Sequence, residues 1–283
     1  MEIRVGIIGL GFVGSALSKS FIEKGYKPKE NLFIYDKYKE GGIGTIQEIL
    51  ITDMLFLALP TLYDTDKQTF DISSITETLE ELNNKAYTGL IIIKSTIEPE
   101  TINNLSNQYN LYIVHNPEFL TARTAFEDFH NQKHIVIGIP TKHNQDKINI
   151  IINFYKFNYP NAYISICNSK ESEAMKLFSN NFYAVKVQMF TEFYLLCEKL
   201  NINYNNVKDL MLRNGWINPM HTTVPGPDGT ISYGGLCFPK DTNALLSLMK
   251  KLDVPHKVLE STIMERNSMR QDFNTPNNKF EFK

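Results

Sequence analysis

The chain has 283 residues, 42% of them hydrophobic and 21% charged, with a formal net charge of -2, the profile of a globular protein built as one large domain or two ordinary ones. There is no basic excess to attract nucleic acid and no apolar run near the ~20 residues of a membrane span, and the N-terminus opens on a strand pattern rather than a leader, so neither partner is expected and a cytoplasmic location is. Three cysteines, Cys167, Cys197 and Cys237, are too few and too scattered for a disulfide framework or a zinc pattern, and no metal is expected.

Residues 4–8 form a short β-rich run that ends in Gly9-Leu10-Gly11-Phe12-Val13-Gly14, and residues 15–24 then show the apolar spacing of a helix. Strand, glycine turn and helix in that order make a dinucleotide fingerprint. Gly9 permits the tight turn, Gly11 lets the backbone approach a pyrophosphate, and Gly14 allows close packing of helix on strand. A second strand over 32–35 ends in Asp36, about 20 residues past the glycines, where an acid accepts hydrogen bonds from ribose hydroxyls and favours NAD over NADP. The plainer alternative is a turn followed by a surface acid.

The alternation continues with strands over 54–59, 90–93 and 111–114 and helices over 72–82 and 99–105, which predicts parallel β-α-β units. Ligands bind such sheets beyond the carboxyl ends of the strands. There the sequence reads Pro60-Thr61, Lys94-Ser95-Thr96 and Asn116-Pro117-Glu118, small hydroxyl groups and one carboxylate. Each has a structural alternative as a strand stop, a helix cap or a solvated acid. A strand over 135–139, a helix over 143–157 and a last strand over 162–167 complete a Rossmann-like domain, 1–168.

Residues 169–200 contain no glycine or proline, and Met175, Phe178, Phe182, Val185, Met189, Phe193 and Leu196 step at three and four, the pattern of one long helix. Such a length predicts an apolar face that packs on a second subunit, giving a homodimer through helix 169–200. Lys176 and Asn180 stand four apart and share a face of it, with Glu173 a turn earlier. A helix over 207–213 leads into a loop over 215–233 that holds the only tryptophan and the run Val224-Pro225-Gly226-Pro227-Asp228-Gly229. Loops of this length in compact proteins are often functional. It delivers the chain to Gly234-Gly235-Leu236-Cys237-Phe238-Pro239-Lys240-Asp241, where two glycines precede a thiol and a lysine and an aspartate follow it. A buried structural cysteine is the competing reading. Asp241 or Thr242 is placed to cap a helix over 243–252, and a final helix runs over 256–269. The expected fold is thus an α/β Rossmann-like parallel-sheet domain followed by an all-α dimerisation domain, 169–270, with a polar tail over 271–283.

Taken together, the glycine motif, Lys94-Ser95-Thr96-Ile97, Asn116-Pro117-Glu118-Phe119-Leu120, Glu173-x-x-Lys176-x-x-x-Asn180 and the Cys237 segment resemble, in order and over nearly the whole chain, the UDP-glucose and GDP-mannose dehydrogenase family. The resemblance implies a four-electron oxidation of a nucleotide-sugar C6 alcohol to a carboxylate with two NAD+ and one water. It makes Cys237 the nucleophile, Glu118 the general base, Lys176 and Asn180 oxyanion stabilisers, and Asp241 and Thr96 holders of the catalytic water. Cofactor contacts fall to Gly9, Gly11, Phe12, Val13, Gly14, Asp36, Pro60, Thr61, Ser95 and Thr96, and substrate contacts to Phe119, Leu120, Lys176, Asn180 and Gly234. Phe238 after the cysteine suggests UDP-glucose. Two departures stand out: Ala122 occupies the place of a usual second glutamate, and the chain stops where the family's nucleotide-binding third domain would begin. Two other readings compete. One is a catalytically idle NAD-binding dimerisation module. The other is a β-hydroxyacid dehydrogenase, which would use the lysine and asparagine without a cysteine.

Overall fold

A computed structural model describes residues 3–270 and 272; the polar tail expected over 271–283 lies, apart from Asp272, outside the described residues. The described residues divide into two compact units, one of residues 3–62 and 70–176, the other of 63–69 and the described residues from 177 onward.

The first unit is built on a seven-stranded sheet. In chain order its elements are β1 (Val5–Ile8), α1 (Phe12–Glu23), β2 (Leu32–Tyr35), α2 (Ile46–Leu50) and β3 (Met54–Leu57). A two-stranded ribbon, β4 (Tyr63–Asp64) with β5 (Thr69–Phe70), marks the excursion into the second unit. The first unit then continues through α3 (Ser73–Asn84), β6 (Leu90–Ile93), α4 (Thr101–Gln108), β7 (Tyr112–His115), α5 (Ala125–His130), β8 (His134–Ile139), α6 (Gln145–Asn158) and β9 (Tyr163–Asn168).

Strands lie in the order β2-β1-β3-β6-β7-β8-β9. β1, β3 and β6 are buried on both faces, which is why their sequences are continuous apolar runs and do not alternate. Met54, Phe56, Leu90 and Ile92 point into one core with Phe21, Phe129 and Phe154, while Leu55, Leu57, Ile91 and Ile93 point into the other with Leu79 and Ile102. The chain order changes direction between β1–β2 and β1–β3, the switch at which such sheets bind ligands.

One pairing departs from the expected parallel pattern. β8 runs antiparallel to β7, because the intervening α5 packs on α1 and does not carry the chain back across the sheet, so β8 enters from the edge where β7 has just ended. α6 is a true crossover and restores parallel pairing of β9 with β8.

α7 (Ser169–Leu200) is the single long helix predicted. Its first two turns, to Lys176, belong to the first unit. Gly138 of β8 makes that packing possible, since a β-carbon there would lie 2.5 Å from the Ser172 β-carbon. Two buried polar links fix it further: Ser172 Oγ lies 2.8 Å from His115 Nδ1, and the Glu173 carboxylate accepts the backbone N–H groups of Glu100 and Ile102 at 2.8 and 2.7 Å. These N–H groups belong to the start of α4, where no intrahelical acceptor is available to them and the positive helix end favours a carboxylate.

The second unit comprises α7 from Leu177 onward, α8 (Tyr204–Leu212), α9 (Phe238–Lys251) and α10 (Lys257–Met269), with residues 63–69. Phe190, Cys197, Tyr204 and Val224 form one buried cluster in it. Tyr63 Oη joins Ser247 Oγ of α9 at 2.7 Å. The helix expected over 243–252 begins earlier, at Phe238, with Cys237 at its N-cap and Pro239 in its first turn. Proline is favoured there because its missing N–H is not needed. Asp241 is therefore a residue of the first turn and buried, and neither it nor Thr242 is the cap.

Candidate active site

In the first unit the glycine loop has the geometry its residues require. Gly9 has φ +91°, and a β-carbon on it would meet Ala58 O at 2.5 Å; one on Gly14 would meet Gly9 O at 1.8 Å. Gly11, at the N-cap of α1, faces open space. A ligand phosphate can therefore approach the backbone at Gly11 while the other two glycines hold the turn. Phe12 and Val13 begin α1 and pack on the core behind it.

Asp36, at the end of β2, accepts the Leu10 N–H at 2.7 Å through one oxygen and the N–H groups of Tyr38 and Lys39 at 2.9 Å through the other. Partial burial pushes its pKa up, but the three backbone donors outweigh that and hold the carboxyl below the usual range. An ionised acid thus sits against the glycine loop.

At the ends of β3 and β6, Thr61 Oγ1 donates to Thr96 O at 2.8 Å and Ser95 Oγ donates to Leu59 O at 2.6 Å. These bonds lock the two strand ends together. Thr61 and Thr96 are buried, and Pro60 is exposed with no polar role of its own.

Beyond β7, Glu118 is 8% exposed and turns inward. Its Oε1 lies 3.1 Å from Lys176 Nζ and its Oε2 accepts the Leu120 N–H at 2.5 Å. Lys176 also lies over the ring of Phe119, 5.6 Å from its centroid. Phe119 is itself nearly parallel to the His134 ring. The helix α7 thereby delivers an ammonium to a carboxylate at the carboxyl edge of the sheet. Ala122, in a 3-10 turn, is exposed.

Beneath this pair lies a group that sequence reasoning did not single out. Lys94, 2% exposed, donates to Asn116 Oδ1 at 2.8 Å. Burial, opposed by the Glu118 charge and reinforced by Lys176, brings its pKa down to about 7. Burial likewise pushes His115 down to about 3, so it is neutral, and raises Glu173 to about 7 against its two backbone donors. The available signal for Lys94 was a lysine ending a strand whose four preceding residues are all apolar.

The second unit gathers the other candidates around α9. Cys237 heads the helix, half-buried, at the end that favours negative charge. Asp241, fully buried, accepts Asn180 Nδ2 at 2.6 Å through one oxygen and Lys240 Nζ at 2.6 Å through the other. Its carbonyl accepts Asn181 Nδ2 at 3.1 Å. Asn181 and Lys240 complete this cluster and were not among the predicted site residues. The Arg270 guanidinium lies close over Gly234, 2.2 Å from where a β-carbon would stand, so a side chain there would displace it. Arg270 in turn reaches Asp228 at 2.8 Å, stapling the loop that precedes the cysteine to the end of α10.

A doubly wound sheet with an open glycine turn, an ionised acid after β2 and polar groups at the carboxyl edge defines an NAD-dependent dehydrogenase architecture. Comparison with known proteins sharpens this. Residues 43–157 match the model of the UDP-glucose/GDP-mannose dehydrogenase family NAD-binding domain, and residues 170–268 match that family's central domain. Curated relatives include the UDP-glucose 6-dehydrogenases of Rickettsia bellii, 30% identical over 80% of this chain and 52% of the relative, and of Campylobacter jejuni, 28% identical over 87% and 61%. Among solved structures, a UDP-glucose dehydrogenase from Pyrobaculum islandicum superposes with a TM-score of 0.79 at 21% identity, covering 95% of this chain and 68% of that one. A 3-hydroxyisobutyrate dehydrogenase from Mycobacterium tuberculosis shares the fold, with a TM-score of 0.68 at 15% identity over 96% and 95%. The chain belongs to the UDP-glucose/GDP-mannose dehydrogenase family, and its cofactor is NAD. It spans about half the length of the curated relatives it matches.

Proposed function

We propose that the chain catalyses the four-electron oxidation of a nucleotide sugar, UDP-glucose in the first instance, from C6 alcohol to carboxylate. The observation that carries this reading is the thiol of Cys237 at the head of α9, with the buried Asp241 one turn along. A simple alcohol dehydrogenation has no use for a nucleophilic thiol, whereas capture of an aldehyde does.

NAD, held at the glycine loop and Asp36, supplies the acceptor for each hydride. The chain's own groups do the rest. Loss of the C6 hydroxyl proton and a hydride gives the aldehyde, which the Cys237 thiolate attacks, forming a C–S bond and a thiohemiacetal oxyanion. A second hydride leaves C6 and gives a thioester. Water attacks that carbonyl, its proton passes to Glu118, the C–S bond breaks, and the thiol is restored. The sum is RCH2OH + 2 NAD+ + H2O → RCOO- + 2 NADH + 3 H+.

In this reading Glu118 is the base, Lys176 and Asn180 offset oxyanion charge, Asp241 and Thr96 serve the attacking water, Cys237 is the nucleophile, and Phe119, Leu120 and Gly234 contact the sugar. Removing one such oxyanion donor costs on the order of 3 kcal/mol in the barrier.

A homodimer through α7 is part of the proposal. Phe178, Phe182, Met189, Leu196 and Leu200 are all more than 40% exposed and step by four and seven along one side of the helix. An apolar groove of about 370 Å³ lined by Phe182, Val185, Leu245, Met249 and Leu259 adjoins that side. The test of the activity is NADH formation from UDP-glucose and NAD+ by wild type and its loss in Cys237→Ala. An active Cys237→Ala protein would point to a two-electron hydroxyacid dehydrogenase.

A further inference from the structure

Lys94 is a buried ammonium with no place in the reaction as written. Burying a lysine is costly unless its charge is used, and a strut alone could be apolar and of equal volume. Its surroundings are specific. Nζ donates to Asn116 Oδ1 at 2.8 Å and approaches Pro117 O at 3.5 Å, the two residues immediately before Glu118. The same Asn116 oxygen accepts Tyr155 Oη from α6 at 2.5 Å, and Asn116 Nδ2 donates to Val136 O of β8 at 2.6 Å. Asn116 is thus fixed from three elements, and Lys94 is the only ionisable group among its partners that changes charge near neutral pH.

We propose that Lys94 is a positioning residue for Glu118: it clamps the Asn116 side chain and the Pro117 carbonyl, and its charge biases the Glu118–Lys176 pair. The groups facing it are His115 on β7, Glu118 on the following loop, Lys176 on α7, Tyr155 on α6, and the Phe129 ring on α5, whose centroid is 5.7 Å from Nζ. His115 is neutral and Tyr155, pushed well up by burial, stays protonated, so neither competes with Lys94 as the group that changes charge near neutral pH. With Lys94 near 7, its clamp is an ammonium below neutrality and an amine above it. Glu118 thereby experiences two cations in acid and one in base.

The role rests on the base function proposed for Glu118, and the experiment separates the two. In the full chain, Lys94→Met should fold, bind NAD as wild type does, and lose about tenfold to a hundredfold in kcat with KM for UDP-glucose little changed. The limb of the kcat profile near pH 7 should disappear. Tyr155→Phe, which cuts the same Asn116 anchor without a charge, should lower kcat less and leave that limb in place. Independently of turnover, the Lys94 amine followed by 13C NMR of labelled lysine should titrate near 7 and move lower in Glu118→Gln. Unchanged kcat and pH profile in Lys94→Met would overturn the proposal, as would a Lys94 titration indifferent to Glu118→Gln. A wild-type protein without turnover but with the linked Lys94 titration would remove the activity reading and leave the coupling between the two side chains standing.

Discussion

Lys176 Nζ lies 3.1 Å from Glu118 Oε1, with the two side chains only 5% and 8% exposed. An ion pair this dry is costly to break from one side, because the remaining charge keeps its desolvation penalty without its partner. Lys176→Ala should therefore destabilise the protein by about 3–5 kcal/mol, and the double variant Lys176→Met/Glu118→Leu by much less. Urea denaturation of the three proteins checks this.

Lys94 makes stability depend on pH in a defined direction. Its titration lies near 7 in the folded chain against 10.5 for an ordinary lysine. Between those values the unfolded chain holds the proton and the folded chain does not, so stability rises with pH across that window. Melting temperatures of wild type and Lys94→Met should differ most in favour of the variant at and below pH 7 and converge toward pH 10.

Gly14→Ala should abolish NAD binding while leaving the second unit's helices in place. Its new methyl would sit 1.8 Å from Gly9 O, and the only relief is to move the glycine turn that addresses the phosphates. Titration calorimetry with NAD+, alongside circular dichroism, reads both effects.

Glu173→Ala leaves two N–H groups at the start of α4 without their carboxylate. A donor left buried without its acceptor costs about 1–3 kcal/mol, so a loss of about 2 kcal/mol is expected, with hydrogen exchange of the Glu100 and Ile102 amides accelerated first.

Phe182→Glu places a charge on the exposed stripe of α7. Sedimentation velocity should show the wild type as a dimer and the variant as a monomer of 32.6 kDa.

Much of this was legible in the sequence, for reasons that can be stated. The runs at β1, β3 and β6 are apolar throughout because they are buried on both faces, and α7 is uninterrupted by glycine or proline, so period and composition sufficed. The antiparallel entry of β8 was not legible, since it depends on where α5 packs and not on any local pattern in 134–139. The start of α9 was misplaced by five residues because Pro239 reads as a breaker unless it is recognised as a first-turn residue. Among the candidate residues, Glu118, Lys176 and Cys237 stood out by their motifs. Nothing local revealed that Asn180 and Lys240 converge on Asp241, or that Tyr155, 39 positions away, shares Asn116 with Lys94. Such contacts exist only once the chain is folded.

The central claim is that Cys237 holds the sugar covalently, as a thiohemiacetal between the two hydride transfers and as a thioester after the second. The most direct measurement is the ratio of NADH formed to UDP-glucose consumed, taken with intact-protein mass spectrometry of the quenched reaction. The account predicts two NADH per sugar and an adduct that maps to Cys237 and is absent from Cys237→Ser. One NADH per sugar with no adduct, or undiminished turnover by Cys237→Ser, would contradict it.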